Sequence, residues 1–294
     1  MTELDLAGVA LRTHDDSYLF DLSPFAHQRE MQRLFEDEEQ FVAVNDSPTG
    51  GGKTSSWLAP VLENRMDAIA VYPTNALVAD QQEAIQRDVE EHVEHDVAVL
   101  KATASTLSEH SDDFGPTSNG AILDDWLRQE GRYNDQRILL TNPDIFVMMR
   151  RGLYWRGSRE YKDFDIAVVD EFHRAGRKEQ NTLRFLLDEM QTEDEDVVAL
   201  RKVAFLSATP DQRQQRLFDE AMEAPYYRVT DQDENERKSY TEALEDGWFG
   251  VMPPVELDVC PAPTFGTADA LLDDADETLT FCRGGRTVVM LDSI

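Results

Sequence analysis

The chain has 294 residues, enough for one large α/β domain or two small ones. Hydrophobic residues make up 41% of it, which supports a core and excludes a disordered chain, and no apolar run approaches the ~20 residues of a membrane span. The net charge of −31, from 59 acidic and 28 basic residues, is spread along the whole length and repels both the compact state and polyanions in dilute buffer.

At ~1 M salt the Debye length falls to ~3 Å and that repulsion is screened. The expectation is therefore a cytoplasmic protein of an extreme halophile, with a mesophile's acidic interaction protein as the alternative. The start, Met1-Thr2-Glu3-Leu4-Asp5, has no basic segment followed by an apolar one and does not read as a secretory signal. Cys260 and Cys282 are expected to be free thiols.

In chain order, the pattern predicts a helix over Phe25 to Phe35 and a strand at Phe41-Val42-Ala43-Val44. Gly50-Gly51-Gly52 then opens the next helix. Further strands are predicted at 68–72, 97–100, 137–140, 165–169 and 203–206, with helices over Ala76 to His92, Gly120 to Gln129 and Glu179 to Met190. These strands are continuous apolar runs, as expected when both faces are buried. Alternating strands and helices imply a largely parallel sheet between helical layers, an α/β fold. Residues 1–230 read as one domain and 231–267, rich in proline, as a linker with one strand at 255–259. Residues 268–294 read as the start of a second lobe, with a helix over Ala268 to Phe281 and a strand over Thr287 to Leu291.

The strongest chemical signal is Ser47-Pro48-Thr49-Gly50-Gly51-Gly52-Lys53-Thr54 between a strand and a helix. Glycines let several N–H groups converge on one anion, and the following helix N-terminus adds its dipole. Lys53 would reach the β- and γ-phosphates of ATP, and the Thr54 hydroxyl would bind Mg²⁺. Ser47 stands where Gly or Ala is usual. A strand ending in Asp170-Glu171-Phe172-His173 is the second signal. Asp170 would hold Mg²⁺, largely through water, and Glu171 would orient and deprotonate an attacking water. At the end of another strand, the hydroxyls of Ser207-Ala208-Thr209 either bond the acidic pair or cap the next helix. The Gln28 carboxamide offers a donor and an acceptor, matching an adenine edge.

Taken in order, Gln28, the Ser47–Thr54 loop, Pro73-Thr74-Asn75-Ala76-Leu77, Thr141-Asn142-Pro143-Asp144, Asp170-Glu171-Phe172-His173 and Ser207-Ala208-Thr209 resemble the Q motif and motifs I, Ia, Ib, II and III of superfamily 2 helicases of the DExH type. The resemblance covers roughly residues 20–225. It implies a RecA-like P-loop fold and an ATP-hydrolysing lobe. Its nucleotide site would use Gln28, Ser47, Thr49, Gly50, Gly51, Gly52, Lys53 and Thr54, its metal site Thr54 and Asp170, and its catalysis Lys53, Asp170 and Glu171. It also implies that His173, Ser207 and Thr209 couple nucleotide state to the rest of the lobe. Thr74, Asn75, Thr141 and Asn142 would contact a single-stranded nucleic-acid backbone. Within the superfamily, Tyr72-Pro73-Thr74-Asn75-Ala76-Leu77-Val78-Ala79-Asp80-Gln81 and the Asp-Glu-Phe-His form are most similar to the separate helicase subunit of type I-D CRISPR–Cas systems. That similarity implies a DNA substrate, antiviral interference, an effector complex and a nuclease on another polypeptide.

The chain departs from the family after Thr287 to Ile294, which resembles motif IV. Motifs V and VI, with the arginines that face the γ-phosphate, do not follow, so the expectation is a truncated motor with little activity of its own. Two other readings stand beside the CRISPR one: a non-catalytic remnant that binds nucleotide or nucleic acid, and a general DNA-repair or RNA helicase. His92-x-x-His95, the acidic run 193–196 and the basic-aromatic island around Arg150 to Arg156 are read as solvated or packed surface, the last with base stacking as an even alternative.

Overall fold

The computed structural model describes residues 2–6, 9–14, 18–20, 23–48, 50–114, 119–146, 164–171, 201–207, 225–230, 240–246, 249–252 and 255–259. The elements in chain order begin with β1 (Thr2–Leu6), β2 (Val9–Leu11), α1 (Ala26–Asp37), β3 (Phe41–Asn45), α2 (Lys53–Glu63) and β4 (Ala68–Val71). They continue with α3 (Asn75–His92), β5 (Val97–Ala102), α4 (Ala104–Phe114), α5 (Asn119–Tyr133), β6 (Gln136–Thr141) and β7 (Ile166–Asp170). The last are β8 (Lys202–Leu206), β9 (Tyr226–Val229), α6 (Tyr240–Glu245), β10 (Phe249–Met252) and β11 (Val255–Val259).

The continuous apolar runs do bury both faces. Seven strands form one sheet in the order β5-β6-β4-β7-β8-β3-β9, and every pairing in it is parallel. Because side chains alternate along a strand, odd and even positions feed two separate cores. Val42, Val44, Ile69, Val71, Leu139, Ala167, Val203 and Phe205 share one core with Leu107 of α4 and Ile122, Leu123 and Leu127 of α5. Ala43, Ala68, Ala70, Leu140, Ile166, Val168, Ala204 and Leu206 share the other with α1, α2 and α3, through Met31, Trp57, Leu58, Val78 and Ile85. The result is the three-layer α/β arrangement that the strand pattern predicts, in the RecA-like form that the resemblance implies.

Local signals set the helix starts. Thr74 caps α3, its hydroxyl accepting from Leu77 N at 3.3 Å. Gly52 caps α2 in the left-handed region, φ 71°, which its lack of a Cβ permits. The predicted α1, α3, α5 and strand positions agree with the structure to within a few residues. Helices α4 and α6 and strands β1, β2, β9 and β10 are additional to the predicted set. The predicted helices over 179–190 and 268–281 and the strand over 287–291 lie outside the described residues.

The domain boundary expected at 230/231 differs from the compact units, which are Gly8–Pro253 and the pair of segments Met1–Ala7 and Pro254–Ile294. Backbone pairing is the reason. In the large unit β10 pairs antiparallel with β2, so part of the expected linker belongs to that unit. In the other, β11 pairs antiparallel with β1 over the full register Thr2↔Val259 to Leu6↔Val255. Each of these four strands thereby gains one partner.

Candidate nucleotide site

The carboxyl ends of β3, β7 and β8 lie side by side. Leu206 is in register with Asn45 on one side and Asp170 on the other. The loop that leaves β3, the acidic pair that leaves β7 and Ser207 after β8 are therefore brought to one edge of the sheet, where parallel α/β folds bind ligands. Ser207 donates its N–H to the Asn45 carbonyl at 3.0 Å.

Gly50 and Gly52 both have positive φ, 80° and 71°. A Cβ on Gly52 would stand 2.7 Å from Gln28 Nε2, so this turn admits only glycine. Lys53 Nζ donates to the carbonyls of Ser47 and Pro48, each at 3.1 Å, which holds the ammonium over the loop. Gln28 is buried against the loop's exit. Its Nε2 donates to Gly52 O at 3.1 Å and Ser55 Oγ at 2.9 Å, while its Oε1 accepts from Phe25 N at 2.8 Å. Both ends of the carboxamide thus have partners within the protein, so it braces the loop rather than presenting a free adenine-sized edge.

Asp170 Oδ1 accepts the Glu171 N–H at 2.8 Å. Burial pushes the Asp170 carboxyl up to about 6, and the neighbouring Glu171 charge adds to the rise. The Glu171 N–H and the Lys53 charge oppose it. A buried carboxylate held above its usual range is short of positive charge. With the Thr54 hydroxyl on the adjoining loop, the donors are hard oxygens of the kind Mg²⁺ takes. Glu171 itself adopts φ 51°, a left-handed conformation that costs a non-glycine residue about 1–3 kcal/mol.

The residues expected on a nucleic-acid track divide. Thr74 and Asn75 are exposed at the start of α3, and Asn142 Nδ2 donates to Asn75 Oδ1 at 2.7 Å, tying the two motifs together. Thr141 does not fit that role. Its side chain is fully buried and its hydroxyl donates to Ala102 O at 2.8 Å, so it joins β6 to β5. Thr49, His173 and Thr209 lie outside the described residues. His92 and His95 have structural partners: His92 Nδ1 lies 3.0 Å from Asp88 O, and His95 Nε2 lies 2.8 Å from Gln136 Oε1.

Sequence reasoning missed three site residues. Asn45 is completely buried; its Oδ1 accepts from Ser47 N at 3.0 Å and its Nδ2 donates to Ser56 Oγ at 3.0 Å. Ser56 Oγ in turn donates to Lys53 O at 2.6 Å, so one carboxamide pins the loop's entry to its exit. Gln81 of α3 accepts a hydrogen bond from Thr54 Oγ1 at 3.3 Å. An Asn or Ser immediately flanking the loop was the available signal for the first two; nothing local marks Gln81.

Known proteins resemble the chain in sequence and in fold. A family model, DEAD/DEAH box helicase, matches residues 25–217. No curated protein sequence matches the chain. Among solved structures, the DUF1998 helicase MrfA bound to DNA is similar with a TM-score of 0.52 and 17% identity, over 78% of this chain and 32% of that one. The same helicase bound to DNA and AMPPNP gives a TM-score of 0.51 and 18% identity, over 78% and 31%. The DEAD-box helicase Mss116 bound to ssRNA and UDP-BeF gives 0.51 and 17%, over 72% and 42%. This chain thus spans about a third of the length of MrfA.

Proposed function

Because the chain belongs to the DEAD/DEAH box helicase family, we propose that it is the ATP-binding lobe of a nucleic-acid-dependent ATPase, binding ATP–Mg²⁺ at the loop of residues 47–54 and supplying the carboxylates that serve its hydrolysis. The observation that carries this reading is the convergence of Lys53, the Asp170-Glu171 pair and Ser207 at one sheet edge. Lys53 exchanges its two loop carbonyls for β- and γ-phosphate oxygens. Thr54 and Asp170 hold the metal, which neutralises phosphate charge when bound. Glu171 orients the attacking water and takes its proton. Thr74, Asn75 and Asn142 contact the strand's backbone by hydrogen bonds.

The test is calorimetry and turnover in molar KCl. ATP–Mg²⁺ binds the wild type and not Lys53→Ala, because a charge-assisted phosphate contact is lost. Glu171→Gln keeps ATP affinity and lowers nucleic-acid-stimulated turnover by ~100-fold or more. Equal affinities for wild type and Lys53→Ala overturn the site. Turnover indifferent to Glu171→Gln removes the assigned base, whereas ATP binding with no turnover favours the non-catalytic reading.

The finer assignment we propose is the separate helicase subunit of a type I-D CRISPR–Cas system, working on DNA with an effector complex and a nuclease on another polypeptide. It is supported by the Tyr72 to Gln81 sequence and the Asp-Glu-Phe-His form of motif II. A general DEAD/DEAH helicase outside CRISPR is the second reading, favoured by the likeness to MrfA and Mss116. Stimulation by DNA but not RNA separates the first from an RNA helicase. The −31 charge supports a cytoplasm of high salt. Melting temperature then rises through a KCl series, and a flat or falling series removes the halophile reading. Among the described residues no helix is long and apolar enough to cross a membrane.

A further inference from the structure

Thr54 has a partner that the loop itself does not supply. Its Oγ1 donates to Oε1 of Gln81, which lies on a different helix and 27 residues further along the chain. Both side chains are half-buried. A threonine hydroxyl has one proton and two lone pairs. When its oxygen faces a cation, the proton must point away, and it needs an acceptor on that side. Gln81 Oε1 is that acceptor. An outer partner of this kind fixes the orientation of a metal ligand and raises its basicity.

The same helix reaches the other proposed site. Asn75, at the first turn of α3, is bonded to Asn142 at 2.7 Å. Gln81 lies six residues further, about 9 Å along the axis at 1.5 Å per residue. Val78 and Ile85, on either side of Gln81 in sequence, are completely buried against the sheet, so α3 is anchored along this stretch and joins the two positions as one packed element. One helix thus bonds Asn142 at its first turn and the Thr54 hydroxyl about two turns later.

We propose that Gln81 is a positioning residue that orients the Thr54 hydroxyl toward Mg²⁺ and, through α3, links nucleic-acid engagement at Asn75 and Asn142 to metal–nucleotide affinity. The proposal rests on the reading of residues 47–54 as the nucleotide site. Gln81 touches neither phosphate nor metal; it acts through Thr54.

The experiment is calorimetric titration of the whole chain with ATP, once with Mg²⁺ and once with EDTA, followed by oligo(dT) titration with and without ATP–Mg²⁺. The variants are Gln81→Leu, which removes the acceptor, Gln81→Glu, which keeps one, and Lys53→Ala. Gln81→Leu weakens ATP binding with Mg²⁺ by about tenfold and leaves binding in EDTA unchanged. It also removes the change in oligo(dT) affinity that ATP–Mg²⁺ produces in the wild type. Gln81→Glu binds ATP–Mg²⁺ at or above the wild-type level. Equal losses with and without Mg²⁺ in Gln81→Leu, or a loss in Gln81→Glu as large as in Gln81→Leu, overturn the proposal, since a merely structural role predicts both. Wild-type ATP affinity in Gln81→Leu overturns it as well. Failure of the underlying site has a separate signature: Lys53→Ala then binds ATP as well as the wild type does.

Discussion

The two edges of the seven-stranded sheet are built to different standards. At the amino ends of β4, β6 and β7, the polar groups answer one another. Asp67 accepts from Arg137 N at 2.6 Å, from its Nε at 2.8 Å and from its Nη2, and Asp67 N donates to Asp165 Oδ2 at 2.8 Å. The guanidinium also donates to Leu127 O at 3.3 Å and lies 5.5 Å from the Phe164 ring. Gln136 beside it bonds Val61 O, Met66 O and His95. Even here burial raises the Asp165 carboxyl, with the Asp67 charge adding to it. At the carboxyl ends, by contrast, Ser47 Oγ, Tyr72 Oη and Asp46 Oδ1 are buried without a hydrogen-bond partner among the described residues. Glu171 is in the left-handed region, and burial raises the Asp170 carboxyl to about 6. Unsatisfied groups and strain persist where a ligand completes the structure, and an edge with no such task is free to be fully paired.

The largest effect expected from this contrast is at the paired edge. Arg137→Met leaves Asp67 buried beside Asp165 without its counter-charge. The side chains of Arg137 and Asp67 are 8% and 17% exposed, so solvent screens the pair little. Breaking one partner of such a pair costs about 3–5 kcal/mol. The urea midpoint falls accordingly, while ATP–Mg²⁺ affinity of the folded protein stays at the wild-type value. A change in affinity comparable to the loss of stability would show that the two edges are not independent.

How far each edge was legible follows from the range of its interactions. The five predicted strands of the central sheet past β3 were readable because a strand buried on both faces is apolar at every position, as in Ile138-Leu139-Leu140. Helix α4 was not, because Leu107 is its one fully buried side chain among the described residues and Thr103 and Thr106 hydroxyls organise its start. Lys53, Asp170 and Glu171 could be picked out as candidates because loop chemistry is local in sequence. Gln81, Asn45 and Ser56 act across helices or across the loop, and spacing alone does not reveal which atoms meet. Thr141 was placed on the nucleic-acid track for a related reason: a motif position does not say what its side chain meets, and here the buried hydroxyl bonds Ala102 O of the neighbouring strand β5.

A middle-sized effect is expected from pH at the strained edge. Asp170 titrates at about 6 when folded, above its ordinary 3.8. A raised carboxyl contributes stability that is fully present below about pH 4 and is lost as pH rises through about 6. Asp170→Asn therefore stabilises the metal-free protein at pH 7.5, and the gain shrinks toward pH 4. Metal binding runs the other way, since Mg²⁺ competes with the proton. From about pH 7 to pH 5 the ionised fraction falls about tenfold, and Mg²⁺-dependent ATP affinity falls with it. The check is calorimetry at several pH values against the same titration in EDTA, where the Asp170 step is absent. An equal pH dependence in EDTA would place the titrating group elsewhere.

The smallest effect is expected from one hydroxyl. Tyr72 follows Val71, which pairs with Val169, so its side chain stands next to Asp170 on the same face of the sheet. It is almost wholly buried, its Oη has no partner among the described residues, and burial raises its pKa well above the ordinary value, with the Asp170 charge adding to the rise. A buried hydroxyl without a partner costs about 1–3 kcal/mol of desolvation. Tyr72→Phe removes that cost and keeps the ring that packs in the α2–α3 core. The folded state should gain roughly 1 kcal/mol, seen as a higher urea midpoint with an unchanged slope. If instead Tyr72→Phe lowers the midpoint, the hydroxyl is bonded in solution, and Asp170 is the acceptor that the register places beside it. The two cases also separate by pH. Loss of a hydrogen bond to the carboxylate moves the Asp170 step in Mg²⁺-dependent affinity upward, whereas removal of an idle hydroxyl leaves it in place. A stabilised Tyr72→Phe with an unmoved step shows that this edge carries an unsatisfied group that does not serve the metal site.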